Sequence, residues 1–227
     1  MNPLGVRSRI GLGTNRLTHT PEHVAFVREA VAAGIGMVDT AHIYAGGESE
    51  ATIGEALPAP PAGCVVATKG GYNDGRPGAI GAEIEESLRR LRTEAIGLYY
   101  LHKVDPEVPL EESLGAIKEH QERGSIRQVG VSNVSVEQIE RARRVVEVAA
   151  VQNHYSLAER THDDVVDHCG ENGIAFVPYF PLRGVDDRSP QAALAWLLER
   201  SPAMLPIPGT LSLEHVRENL AAATAVG

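Results

Sequence analysis

Cysteine is almost absent: Cys64 and Cys169 are the only two in 227 residues. Two thiols set up no disulfide framework and no metal-ligand spacing. Cys64, at the head of an apolar run, reads as a small core residue. Aromatic side chains make up 4% of the chain, too few for base-stacking platforms or a carbohydrate-binding strip. Basic excess is missing as well. With 21 Lys and Arg against 30 Asp and Glu the net charge is −9, so nucleic acid is not an expected partner. One local basic pocket for a phosphorylated cofactor remains compatible. No apolar run has transmembrane length, and no signal-peptide or transit-peptide pattern is present. These absences set the expectation of a cytoplasmic protein with no membrane partner.

What is present is alternation. At 43% hydrophobic and 22% charged the chain can bury a sizeable core. Short β-branched or aromatic runs predict strands at 9–13, 36–39, 65–68, 98–101, 127–131, 148–151, 174–177 and 203–207. Caps and helical spacing predict helices at 21–33, 49–57, 79–91, 110–123, 136–145, 161–172, 189–199 and 212–223. Strict strand–helix alternation implies parallel pairing with right-handed crossovers, and eight such units point to a (β/α)₈ barrel. No composition break marks a linker, so residues 1–227 read as one domain with short loops. An open dinucleotide-binding sheet would want a complete G-x-G-x-x-G. Gly11-Leu12-Gly13-Thr14-Asn15-Arg16 begins that pattern and fails it.

Several predicted strands end on polar residues, and in a barrel those ends converge on one face. The convergent set is Asp39, Tyr44, Lys69, His102, Ser132, Asn133, Gln152 and Tyr179. A tyrosine acts as a general acid near neutrality only if its pKa is lowered. An adjacent ammonium does this, and a carboxylate keeps that ammonium charged. A neutral histidine donates to a carbonyl oxygen. Each residue also has a plain reading: Asp39 as a cap, Lys69 as a solvated edge charge, His102 as a satisfied core residue, Ser132-Asn133 as a helix start. Their joint occurrence at successive strand ends favours the chemical reading. A metal-dependent barrel hydrolase would want a His-x-His pair at the first strand, which Gly11-Leu12-Gly13-Thr14 lacks; no metal ligands are assigned.

The chain resembles the aldo-keto reductases over essentially its whole length. The resemblance rests on Gly11-Leu12-Gly13-Thr14, Val38-Asp39-Thr40-Ala41 followed by Tyr44, Gly47-Glu48-Ser49-Glu50, Ala67-Thr68-Lys69-Gly70-Gly71 and Leu98-Tyr99-Tyr100-Leu101-His102. It continues through Gly130-Val131-Ser132-Asn133, Val151-Gln152-Asn153, Pro178-Tyr179 with Pro181-Leu182, and Ile207-Pro208-Gly209-Thr210 with Glu218-Asn219. It is most similar to bacterial members with an Ile-Pro-Gly-Thr loop. The resemblance implies reduction of a small aldehyde or ketone, with Tyr44 as proton donor, Asp39 and Lys69 lowering its pKa, and His102 orienting the carbonyl. It implies that Ser132, Asn133 and Gln152 hold the nicotinamide carboxamide and that Tyr179 stacks on the ring. Gly13, Thr14, Asn15, Asp39, Phe180, Pro181, Leu182 and Arg183 would complete the cofactor cleft. Ile207, Pro208, Gly209, Thr210 and His215 would lie along the adenosine phosphates, with Glu218 and Asn219 at the adenine. NADPH is the implied cofactor, with NADH as the alternative, and a monomer is the implied state. A nicotinamide-nucleotide-binding regulatory or sensor protein on the same scaffold is the second reading.

Three departures from the pattern stand out. Many members carry a Lys and an Arg beside the adenosine 2′-phosphate, where this chain has Gly209 and His215, with Arg183 and Arg217 nearby. The connection between Leu182 and Ser189 is short, and Val185-Asp186-Asp187 reads as a fragment of the helix that relatives place there. The last predicted helix ends close to residue 227, which predicts an open pocket with Tyr44, His102 and Tyr72 at its rim.

Overall fold

A computed structural model describes residues 4–184 and 189–226. The helical fragment expected at Val185-Asp186-Asp187 lies outside the described residues. Seven parallel strands make one sheet in sequence order: β1 (Gly11–Gly13), β2 (Met37–Asp39), β3 (Val65–Gly70), β4 (Ile96–Leu101), β5 (Ile126–Ser132), β6 (Val148–Gln152) and β7 (Ala175–Phe176). The first six cross to the next through α1 (Pro21–Ala33), α2 (Glu48–Ala56), α3 (Pro77–Arg90), α4 (Leu110–Glu122), α5 (Val136–Arg143) and α6 (Asp163–Asn172); α7 (Pro190–Arg200) and α8 (Leu213–Val226) follow β7. The caps read from sequence are in place. The Thr20 side chain accepts from the His23 N–H ahead of Pro21, and Ser135 and Gln138 form a reciprocal capping box on α5. Among the described residues no helix is long and apolar enough to cross a membrane.

The strand expected at 203–207 does not form as a regular strand. The segment runs between the two edges of the sheet and hydrogen-bonds to both. On one side the Leu205 N–H donates to Phe176 O at 2.8 Å and the Ile207 N–H to Pro178 O at 3.5 Å. On the other the Gly11 N–H donates to Pro206 O at 2.9 Å and the Gly13 N–H to Pro208 O at 3.2 Å. The residues facing β1 are thus prolines, which offer a carbonyl but no N–H, so this edge lacks the reciprocal donors of a ladder. Isolated bridges, Phe176 with Met204 and Gly13 with Gly209, take its place. The expected eight-stranded sheet is therefore a curled seven-stranded one whose two edges meet the same extended segment.

Alternation along the strands sorts their side chains. Met37, Ala67, Leu98, Tyr100, Ala150 and Ala175 pack with Leu205 and Ile207 inside the curl. Val38, Val66, Tyr99, Val129, Val131 and Val151 turn out beneath the helices. Two residues beyond Met37, Ala67, Tyr100 and Ala150 stand Asp39, Lys69, His102 and Gln152. Period two thus carries four polar residues to one end of the inner face. Because β3 runs on to Gly70, Lys69 is a residue of the strand and not, as expected, the one after it.

Helix α2 packs closely on the end of α3. A Cβ at Gly54 would stand 2.2 Å from Arg90 O and 2.7 Å from the Leu91 backbone. Alanine is the better helix former by about 1 kcal/mol, yet Gly54→Ala is expected to destabilise the protein by roughly 1–3 kcal/mol through overpacking. Thermal melting checks this; an unchanged or raised Tm would mean that the two helices separate freely.

Candidate active site

The inner row delivers a buried ion pair. Asp39 and Lys69 are 2% and 1% exposed. The Lys69 ammonium donates to Asp39 Oδ1 at 2.6 Å and to Thr40 O at 2.7 Å, while the Gln152 amide donates to Asp39 Oδ2 at 2.8 Å. Burial alone would push the pKa of Lys69 down; the Asp39 carboxylate and Tyr44 reverse this, and the net direction is up. The ammonium therefore stays charged in a site where an unpaired charge would be costly.

Tyr44 reaches this pair through a tight turn after β2, a short 3-10 segment (Tyr44–Gly47) in which Ala45 takes the left-handed conformation at φ 48°. Beneath it, the Thr14, Thr40 and Ser49 hydroxyls lie 2.8–2.9 Å from one another along a buried chain that ties the ends of β1 and β2 to the start of α2. Lys69 Nζ lies 5.0 Å from the centre of the Tyr44 ring, and the ring meets that of His102 edge-on at 6.2 Å. Burial pushes the Tyr44 hydroxyl's pKa up, the Lys69 ammonium pulls it down, Asp39 pushes it up, and the balance is upward. This reverses the lowered value expected from the sequence. The ammonium is present, but Asp39 compensates its charge and burial outweighs what remains.

His102 is 8% exposed. Burial, with Lys69 and Lys103 adding like-charge repulsion, pushes its pKa down to about 3, so the imidazole is neutral. Its Nδ1 is buried with no partner, which leaves Nε2 for the cavity. An unfolded histidine takes up a proton near pH 6.5, whereas this one does not until about pH 3. Across that window the unfolded state binds the extra proton, so stability falls as pH drops. The loss between pH 6.5 and 4 is expected to be on the order of 3 kcal/mol and to be largely absent in His102→Gln. Urea unfolding of both proteins at the two pH values checks it; equal acid sensitivity would rule out His102 as the source.

Opposite the pair, Asn133 (φ 58°) and Phe180 (φ 51°) both hold a left-handed backbone that non-glycine residues seldom adopt. Hydrogen bonds fix the first: Asn133 Nδ2 donates to His102 O and to Ser132 Oγ, both at 3.0 Å, and the Tyr179 hydroxyl donates to Asn133 Oδ1 at 2.8 Å. The Ser132 hydroxyl donates to Gln152 O at 2.7 Å. One face of the Tyr179 ring stacks on His154 at 5.3 Å and 11°.

These groups surround a cavity of about 440 Å³, within the size range of small-molecule sites. Gly13, Thr14, Asn15, Asp39, Tyr44, His102, Ser132, Asn133, Gln152, Tyr179, Phe180, Pro181, Ile207 and Gly209 are among its lining. A second cavity of about 460 Å³ shares Arg16, Phe180, Pro181 and Gly209 with it and adds Leu182, Arg183 and Pro208, so the two form one extended cleft. Lys69 lies behind Asp39, outside the lining. Thr210, His215, Glu218 and Asn219 are not brought to either cavity. Thr210 Oγ1 sits 3.3 Å from His215 Nδ1, Glu218 accepts from Gln191 at 3.2 Å, and Asn219 is buried. Sequence reasoning missed two cationic lining residues, Arg16 and Lys103. Each was signalled only by adjacency, Arg16 following Asn15 and Lys103 following His102.

The aldo/keto reductase family model matches residues 9–187. An oxidoreductase of Schizosaccharomyces pombe, itself uncharacterized, is 34% identical over 96% of this chain and 82% of its own length. Pyridoxine 4-dehydrogenase of Escherichia coli is 33% identical over 96% of this chain and 91% of its own. An aldo-keto reductase from Klebsiella pneumoniae, solved in complex with NADPH, superposes with a TM-score of 0.86 at 29% identity, covering 97% of this chain and 89% of that one.

Proposed function

Because the chain belongs to the aldo/keto reductase family, we propose that it reduces aldehydes or ketones to alcohols with NADPH, the proton coming from Tyr44. The observation that carries this reading is the Tyr44 ring, set beside a buried Asp39–Lys69 pair and edge-on to a neutral His102, on the lining of one cavity. Burial keeps Tyr44 protonated at neutral pH, as an acid must be before it acts. Lys69 stabilises the phenolate as it forms, so the same charge that fails to lower the resting pKa still lowers the barrier. His102, neutral, donates from Nε2 to the carbonyl oxygen and aligns it with Tyr44 Oη. Tyr44 gives its proton to that oxygen as the carbonyl carbon gains hydride, and the products are the alcohol and the tyrosinate, which is reprotonated from solvent.

The cleft fits a nicotinamide dinucleotide. Tyr179 has one ring face occupied by His154, which leaves the other to receive a flat ring. Arg16 and Arg183 bring positive charge to the outer part of the cleft, against the chain's net −9, as phosphates require. NADPH, when bound, supplies the hydride; Tyr179, Asn133 and Ser132 would hold its ring end and Arg16, Arg183 and Gly209 its phosphates. Gln152 is committed to Asp39 and orients that carboxylate in addition to the amide contact implied by resemblance. NADH is the weaker candidate because a 2′-phosphate adds charge for the two arginines to meet.

We read the 203–209 segment as the eighth stave of a (β/α)₈ barrel spanning residues 1–227 as one domain, on the strength of its hydrogen bonds to both sheet edges. The reading extends to a cytoplasmic monomer with a small carbonyl compound as its only partner class. A sensor on the same barrel is the competing view, and the assembled proton donor speaks for turnover. Fluorescence titration with NADPH and NADH, followed by 4-nitrobenzaldehyde turnover, tests this. Tight NADPH binding with turnover is expected; binding without turnover would favour the sensor, and no binding would end the enzyme assignment.

A further inference from the structure

We propose that the carbonyl substrate carries an anionic group, a carboxylate or a phosphate, and that Lys103 holds it; this rests on the reductase reading above. The protein is acidic overall, yet the two charges on the first cavity's lining that have no ion-pair partner within 4 Å among the described residues are both positive, Arg16 and Lys103. The one carboxylate in that lining, Asp39, is already matched by Lys69 and Gln152. Arg16 borders the outer cavity as well and belongs to the phosphate end of the cleft. Lys103 borders only the inner cavity, beside the residue that would orient the carbonyl.

Its placement is specific. Lys103 Nζ stands 4.6 Å over the Tyr72 ring, and that ring is 4.8 Å from the ring of His102. The ammonium is therefore no further from His102 than those two spacings together, a reach that a small aldehyde with a distal acid can span. The aromatic face steadies the cation without neutralising it. Among the described residues Lys103 makes no ion pair within 4 Å. The carboxylate that acts on it electrostatically, Asp105, has one oxygen on the Glu107 N–H and the other on the Gly75 N–H, each at 2.9 Å. A half-buried cation on the cavity lining, with no ion-pair partner within 4 Å, selects for a negative group on whatever enters.

The test compares each anionic aldehyde with its own neutral ester: 4-carboxybenzaldehyde with methyl 4-formylbenzoate, and 4-formylphenyl phosphate with its dimethyl ester. At low salt, kcat/KM for at least one acid is expected to exceed that for its ester by about tenfold, and the arm that shows it identifies carboxylate or phosphate. The advantage is expected to shrink as salt is raised, to disappear in Lys103→Met, to persist in Lys103→Arg and to reverse in Lys103→Glu. Because each comparison is a ratio within one protein, a general loss of activity in a variant cancels. Esters reduced with no advantage for either acid would overturn this inference alone, as would an advantage that survives in Lys103→Met. No turnover of any of the four aldehydes would overturn the reductase reading, and this one with it.

Discussion

Tyr44→Phe is expected to lower kcat for aldehyde reduction by about 10²–10⁴-fold, the range general acid catalysis contributes. Phenylalanine keeps the ring that meets His102 at 6.2 Å and lies 5.0 Å from Lys69, so packing and the shape of the cavity survive. The hydroxyl is removed, and with it the transferable proton and its hydrogen bond to Lys69. The loss therefore falls on kcat and kcat/KM together, the mark of an interaction made in the transition state, while affinity for NADPH changes little. The pH profile carries the same information. With Tyr44 raised above its ordinary range and His102 at about 3, reduction by the wild type is expected to be flat across neutral pH and to fall only in the alkaline range where Tyr44 ionises. Steady-state kinetics with nucleotide titration decides the matter; turnover near the wild-type rate in the variant would place the proton donor elsewhere.

Lys69→Met is expected to cost about 3–5 kcal/mol of stability, the penalty for stranding one member of a buried pair. The two side chains are almost fully enclosed, and only Gln152 would remain to satisfy Asp39. The raised pKa of Lys69 fixes the pH window: the pair's contribution is complete below the ordinary lysine range and is lost only as pH rises through the higher folded value. A double variant, Lys69→Met with Asp39→Asn, is expected to recover much of the stability, because no unpaired charge is left, and none of the activity. Denaturant unfolding measures both. A single variant as stable as the wild type would mean that water reaches Asp39 and that the pair is not sealed.

The part of this site legible in the sequence is the part governed by strand period and strand ends. Asp39, Lys69, His102 and Gln152 each stand two residues past an inward apolar side chain, so the pattern that identified strands also placed their polar ends. Burial was the quantity the sequence could not supply. It sets the direction of Tyr44's pKa, where an expected lowering became a rise, and it separates Asn219, buried on α8, from the cleft it was expected to line. Pro206 is a different case. A proline argues against an interior strand, and the apolar run at 203–207 contains one. Lys103 went unread because a lone lysine after a histidine has no meaning until Tyr72 and Asp105 are seen around it.

The two prolines facing β1 have a consequence for motion. Where the other strand pairs exchange donors in both directions, this joint is tied by the Gly11 and Gly13 amides to two carbonyls. Local opening costs least where the fewest bonds must break, so amide exchange within the curled sheet is expected to begin at these two glycines. Gly13 and Gly209, which bridge that joint, also line the cavity. An occupant of the cavity in contact with both glycines would touch the two sides of this joint at once and hold them together. Amide exchange at Gly11 and Gly13 is therefore expected to slow when the cavity is filled.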